Sequence, residues 1–318
     1  MNEPKLQPEQ VSAMRAMLLA YGDETPARAP RVVRRVGFGA LVAGAAAATL
    51  AIVSAVVPSG GAGAPPADSS AQASGMLRDA ARATSDPELA DGQFLRLATT
   101  ASYLALTTAD GTVDTTIGYL ESQRREVYVP ADARGQSIEQ TTHVAPTVFF
   151  GRGAEEFAER KWSGGPATVA PVGQQTDATR PVEDQAAMPR DPQSLLAYLR
   201  EFRYQAGSSD ENVFAHVVDL LRAGGLKSDL RAALYQALAL MPSVTVTQEQ
   251  ASLDGRVGTA IGLEGSGGDT RQEIVIEPST GEYIGVRLVT VAGFGEIPPG
   301  TPLEYTALSA TIVNSVPR

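Results

Sequence analysis

The clearest pattern along the chain is an apolar run over residues 36–57 that contains no charged side chain. As a helix these 22 residues would be about 33 Å long, enough to cross the apolar layer of a bilayer. Arginines 28, 31, 34 and 35 precede the run, and the next basic residue after it is Arg78, so the positive-inside rule places the N-terminus in the cytoplasm. The pattern predicts a single-pass plasma-membrane protein with a cytoplasmic tail, residues 1–35, and an extracytoplasmic remainder.

A cleaved secretory signal is the alternative, which would make the protein secreted, because residues 62–64 have the small-x-small form that signal peptidases accept. The length of the apolar run and of the segment before it favours a retained anchor. Small residues recur at every fourth position from Gly39 to Ala55, a spacing that lets two such helices approach closely. A homodimer formed through this helix is therefore a further hypothesis.

The segments that flank the apolar run are short. Residues 8–21 have Val11, Met14 and Leu18 on one helical face, which predicts an amphipathic helix that docks on a cytoplasmic partner. A weakly ordered tail is the alternative, since an isolated helix of this length is marginal in water. Residues 58–75 are rich in Gly, Ala, Pro and Ser and are typical of a flexible linker.

The remainder, residues 76–318, mixes strand and helix patterns. A short helix over residues 76–84 precedes strands over residues 94–106, 112–119, 125–129 and 138–150. Residues 163–190 have little periodicity and are predicted to form a long loop. A helical block over residues 191–241 follows, with Asp191 capping its first helix and Ser208 or Ser209 its second.

The C-terminal part, residues 243–318, returns to strand patterns separated by turn signals such as Asp254-Gly255. The predicted fold class is thus α+β: one transmembrane helix and an extracytoplasmic domain in which a curved antiparallel sheet, a half-barrel, has helices packed on one side. The aromatic residues Phe94, Tyr119, Tyr128 and Phe149 are candidates for the inner face of that sheet, although each is also typical of a core.

Composition excludes several functions. The net charge of −10 divides into +2 for residues 1–35 and −12 for the rest, which argues against nucleic acid as a partner. Cysteine is absent, and the two histidines, His143 and His216, lie far apart, so we predict no metal site and no cofactor. His216 and Asp219 lie three residues apart on a predicted helix and are interpreted as surface residues.

No catalytic residue is predicted either, because the chain has no G-x-S-x-G or H-E-x-x-H motif. Acidic residues are numerous, so hydrolysis by a pair of carboxylates that folding brings together is left open as an alternative. The expectation is a protein that is not an enzyme.

Four segments carry a resemblance: residues 192–199, 230–238, 241–244 and 277–282. In this order they resemble an actinobacterial family of uncharacterised single-pass membrane proteins that are often encoded beside extracytoplasmic-function sigma factors. The predicted architecture also looks like the half-barrel of periplasmic lipoprotein carriers and sigma-regulator proteins. The resemblance implies an envelope protein linked to a sigma-factor system.

Together these inferences predict a regulatory or sensory protein that binds an apolar ligand or another envelope protein. A carrier for lipid or lipoprotein, and an assembly factor that pairs through an exposed sheet edge, are the alternatives.

Overall fold

The computed structural model describes residues 67–108, 111–132, 135–171, 185–201 and 208–317. The helices are α1 (Ala67–Ala83), α2 (Ala154–Lys161), α3 (Pro192–Glu201), α4 (Ser209–Arg222) and α5 (Ser228–Leu238), with one 3-10 turn at Val113–Thr115. The strands are β1 (Phe94–Thr108), β2 (Thr116–Pro130), β3 (Ile138–Val144), β4 (Phe149–Phe150), β5 (Thr168–Pro171), β6 (Thr245–Leu253), β7 (Arg256–Glu264), β8 (Thr270–Glu277), β9 (Glu282–Thr290) and β10 (Pro302–Val313).

The strands of the described residues form one antiparallel sheet in the order β5-β3-β2-β1-β10-β9-β8-β7-β6, with β4 paired to β2. Strand β10 joins the two halves, because it pairs with β1 on one side and with β9 on the other. Hairpins connect β1 to β2 and link β6 through β9 in sequence. This topology is α+β and is compatible with the predicted half-barrel.

Helix starts in the helical block follow the capping chemistry that the sequence predicts. The Asp191 carboxylate accepts a hydrogen bond from the Ser194 amide at 2.9 Å, and α3 begins at Pro192. Ser208 and Glu211 form a reciprocal capping box at the start of α4. Both predicted caps are therefore confirmed, with Ser208 rather than Ser209 as the second.

The main core lies between the sheet and four helices, α1, α3, α4 and α5. It is built from large side chains that are completely buried, among them Leu77, Leu199, Phe214 and Leu234, packed on Ile274 and other residues of β7 to β9. We call the sheet surface under these helices the helix-side face. Burial of this apolar surface is the main stabilising contribution to the fold.

The opposite face of the same strands carries a buried ion cluster. Glu273 on β8 has no exposed surface and accepts hydrogen bonds from Arg271, at 2.6 Å, and from Arg287. Arg287 also donates to the Gln248 side chain at 2.7 Å. Burial alone would raise the pKa of Glu273, but the charges of Arg287 and Arg271 outweigh it and lower that pKa.

The predicted single-pass architecture is wrong as a description of this fold. Among the helices of the described residues, none is long and apolar enough to cross a membrane. The longest, α1, has 17 residues and carries Arg78, Asp79 and Arg82. The membrane anchor and the plasma-membrane localisation that the apolar run suggested are corrected accordingly.

The segment that carried that prediction, residues 36–57, lies outside the described residues, as do the predicted tail helix at 8–21 and the small-residue stripe from Gly39 to Ala55.

Some boundaries differ from the predicted ones. Helix α1 begins at Ala67, inside the segment interpreted as a linker, because alanine and serine there continue a helix whose buried face includes Ala73. Strand β2 is continuous, although its middle is charged, because Arg124 and Arg125 lie on opposite faces and both form ion pairs. Helix α2 was not predicted, since eight residues give too short an apolar repeat.

Candidate functional site

The helices leave part of the helix-side face uncovered. In an antiparallel ladder, opposed residues lie on the same face. Leu97 of β1 lies beside Gly224 and Gly225, at the end of α4, so it is on the helix-side face. Its ladder partners are Val127 on β2 and Ala310 on β10. We call the helix-side surface of β1, β2, β3 and residues 308–313 the open face.

One end of the open face is apolar. The side chains in two adjacent rows across β10, β1 and β2 are Ile312, Leu95, Val129, Ala310, Leu97 and Val127. Leu95, Leu97, Val127 and Val129 are only half-buried, and Ile312 is 43% exposed. By contrast, Ile274 and Val286, under the helices on the same face, are completely buried. Apolar side chains on this face are therefore completely buried where helices pack on the sheet and partly exposed where no helix packs on it.

The middle of the open face is polar. Arg125 on β2 donates to Glu139 on β3 at 2.6 Å, and the Thr141 hydroxyl donates to the same carboxylate at 3.2 Å. The hydrogen bond from Arg125 lowers the pKa of Glu139 and outweighs the opposing effect of burial. Glu139 is therefore a fixed anion that holds the Arg125 guanidinium against the sheet.

A second ion pair connects the end of α4 to β10, beside the open face. Arg222 donates to Glu304 of β10 at 2.8 Å. Burial alone would lower the pKa of Arg222, but the neighbouring Glu304 charge raises it, so the guanidinium stays protonated. Nearby, the Tyr283 hydroxyl is buried and has no hydrogen-bond partner within the described part of the chain, and burial raises its pKa.

Helix α2 lies at the far end of the open face. Its Phe157 ring meets Tyr119 of β2 edge-on, with ring centroids 5.3 Å apart. Ala105, Ile117 and Trp162 pack around this pair. The open face is therefore bordered by α4 on one side and by α2 at one end.

The structure does not bring the four aromatic candidates together. Tyr119 and its ladder partner Phe149 lie on the helix-side face, where Tyr119 is core and Phe149 is 36% exposed. Phe94 and Tyr128 lie on the opposite face, and the Tyr128 hydroxyl donates to Glu126 at 2.8 Å. The residues that form the apolar end, Leu95 and Val129 among them, were missed because their alternation resembles that of an ordinary core-facing strand.

The histidines are also separated. His143 is exposed on β3, whereas His216 is 3% exposed inside α4, so its interpretation as a surface residue was wrong. The reason is that α4 buries a run of six consecutive residues, from Val213 to Val218, between the sheet and the other helices. Within the described ranges, no group of three or more His, Cys, Asp or Glu side chains could hold a metal ion.

Two depressions on the described surface are open to solvent. One, of about 340 Å³, lies on the helical block and is lined by Arg78, Arg82, Pro192, Gln236 and Leu240. The other follows the loop of residues 292–299. Neither of these two depressions lies on the open face.

No protein-family model matches the chain, and no curated protein matches it significantly. The resemblance to sigma-factor-associated proteins stays a prediction.

Proposed function

We propose that the protein is a non-catalytic binding protein that uses the apolar end of the open face to bind a segment of a partner protein. The observation that supports this is the difference in burial between apolar side chains on one face of the sheet. Ile274 is completely buried under the helices, while Ile312, on the same face, is 43% exposed and adjoins the half-buried Leu95 and Val129. Contiguous apolar surface of this kind is typical of protein interaction sites.

The ion pairs beside this surface support a protein partner. Arg125–Glu139 and Arg222–Glu304 form a polar border with no large excess of either charge. An apolar centre with a polar rim is the usual anatomy of a protein interface. The carrier alternative would need a concave apolar cavity, and the depressions described above are lined partly by arginine or follow a surface loop.

Site-specific photo-crosslinking in cells that naturally produce the protein tests this proposal. A benzophenone amino acid at position 129 should crosslink to a partner protein, because Val129 lies in the apolar end. The matched control is position 144, since Val144 is 41% exposed but lies on the opposite face. Equal capture at both positions, or no protein adduct at position 129, would contradict the proposal.

A substitution separates binding from folding. Val129→Asp places a charge on the apolar end and should weaken capture by a crosslinker at position 95 by about tenfold, because a charge cannot be desolvated there without cost. The variant should retain the far-ultraviolet circular dichroism of the unmodified chain, since Val129 is only half-buried.

A further inference from the structure

Strand β10 has two halves with different neighbours. Residues 304–307 pair with both β1 and β9, whereas residues 308–313 pair only with β1. The last pair between β10 and β9 is Ala307 with Gly285. The two backbones are so close here that a Cβ on Gly285 would lie 2.2 Å from the Thr306 carbonyl oxygen. Beyond this pair the two strands separate: β9 pairs only with β8, and β10 pairs only with β1. Within the described residues, no second strand pairs with residues 308–313, and we call this side of them the free edge of β10.

The direction of the main-chain groups along this edge follows from the neighbouring ladder. The Thr290 amide donates to Thr301 at 3.0 Å, so Thr290, and by alternation Val286, point their backbone groups toward β10. Val286 pairs with Thr306, and residues 308, 310 and 312 share its orientation. Arg256 confirms this, because its Nη1 donates to the Leu308 carbonyl at 2.8 Å.

The N–H and C=O groups of Ala310 and Ile312 consequently point away from β1. Within the described residues no hydrogen bond satisfies them. Residues 308–313 contain no charge, proline or glycine, which are the features that usually protect a free strand edge. The outer edge strand β6 is different, since it carries exposed Gln248, Glu249 and Gln250 and two register shifts.

We propose that this edge of β10 binds an extended segment of a partner protein by strand addition. The inference rests on the proposed function and specifies how the partner is held. The main chain of Ala310 and Ile312 supplies the donors and acceptors, and a new strand places every second side chain beside Ile312 on the open face. The partner segment therefore has uncharged apolar residues at alternate positions, and its intervening residues, beside the exposed Thr311, are polar.

Hydrogen exchange of the full-length chain, resolved by residue, tests the edge. The probe is a synthetic peptide of alternating valine and threonine with a lysine at each end. The amides of Ala310 and Ile312 should exchange rapidly in the free protein and at least about tenfold more slowly with saturating peptide, because only ordered hydrogen bonds give such protection. Ser309 and Thr311, whose amides point to β1, should be protected in both states. Failure of the peptide to slow exchange at 310 and 312 overturns the proposal.

Two variants isolate the main-chain contribution. Ala310→Pro removes an amide that no residue of the described fold uses, so folding is retained and peptide binding is lost. Ser309→Val is the control, since its side chain lies on the opposite face and it keeps every main-chain amide, so it should bind the peptide normally. If Ala310→Pro bound the peptide as well as Ser309→Val, strand addition would be excluded.

The same variants distinguish the two proposals. A partner still crosslinked from position 129 in the Ala310→Pro protein leaves the protein-binding function in place and overturns strand addition alone. Light scattering of the purified chain adds one more outcome. A dimer that Ala310→Pro converts to monomer would assign the edge to a second copy of this chain and overturn the choice of a different partner.

Discussion

Replacing the buried Glu273 with glutamine should destabilise the protein by about 3 kcal/mol at pH 7, at the lower end of the cost of breaking a buried ion pair. The estimate follows from the contacts. Glutamine has the same size and its oxygen can still accept from one arginine, but its amide group faces the donors of the other. Both guanidiniums then lack their anion, one of them also loses its hydrogen-bond acceptor, and the more buried one, Arg287, is only 13% exposed.

The assay is urea unfolding followed by far-ultraviolet circular dichroism at several pH values. Because the folded-state pKa of Glu273 is lowered, its carboxylate contributes stability above its ordinary pKa and loses it as the pH falls through the folded-state value. The difference between the original and the Glu273→Gln protein should therefore be full at neutral pH and shrink below about pH 4. The control Glu264→Gln changes an exposed carboxylate on β7 and should alter stability by less than about 0.5 kcal/mol. A difference under 1 kcal/mol at pH 7, or one that persists unchanged in acid, would show that the Glu273 carboxylate does not stabilise the fold through this ion cluster.

Three further substitutions test other parts of the fold by the same unfolding measurement. Tyr283→Phe should raise stability by about 1 kcal/mol, because it removes a buried hydroxyl that has no partner in the described residues; a loss of stability would show that the hydroxyl is hydrogen-bonded. Ser208→Ala should cost about 1 kcal/mol through loss of the capping box with Glu211, and an unchanged midpoint would contradict a stabilising cap. Gly281→Ala should destabilise by at least about 1 kcal/mol more than Gly255→Ala. Both glycines have positive φ, but only at 281 would the new Cβ lie 2.3 Å from a backbone oxygen of α1, so equal losses would refute that packing.

Local chemistry predicted much of the fold. The caps at Asp191 and Ser208 depend on residues within one helical turn, and each can be found from the sequence alone. The strands of the C-terminal half were also recognisable, because turn signals such as Asp254-Gly255 separate them. Helix ends and turns that depend on adjacent residues can therefore be recognised from the sequence.

The candidate site depends on non-local information. Leu97 and Ile274 have the same apolar character, and only the position of the helices decides that one is half-buried and the other completely buried. The burial of His216 likewise follows from packing on both sides of α4 and not from its neighbours in sequence. Sheet order decides the rest, since strand β10, last in the chain, is the one that separates β1 from β9.

The free edge of β10 can be traced to the lengths of the neighbouring strands and to the course of β9 beyond Gly285. Strand β1 has 15 residues and β10 has 12, but β9 has only 9 and turns at Gly281, which packs against α1. At about 3.3 Å per residue, the six residues of β10 beyond its last pair with β9 leave about 20 Å of edge. Covering this edge from within the described fold would require residues 282–284 of β9 to stay beside β10, but this segment pairs only with β8 and leads back to Gly281, which packs against α1. The course of β9 beyond Gly285 thus both places Gly281 against α1 and exposes the edge of β10.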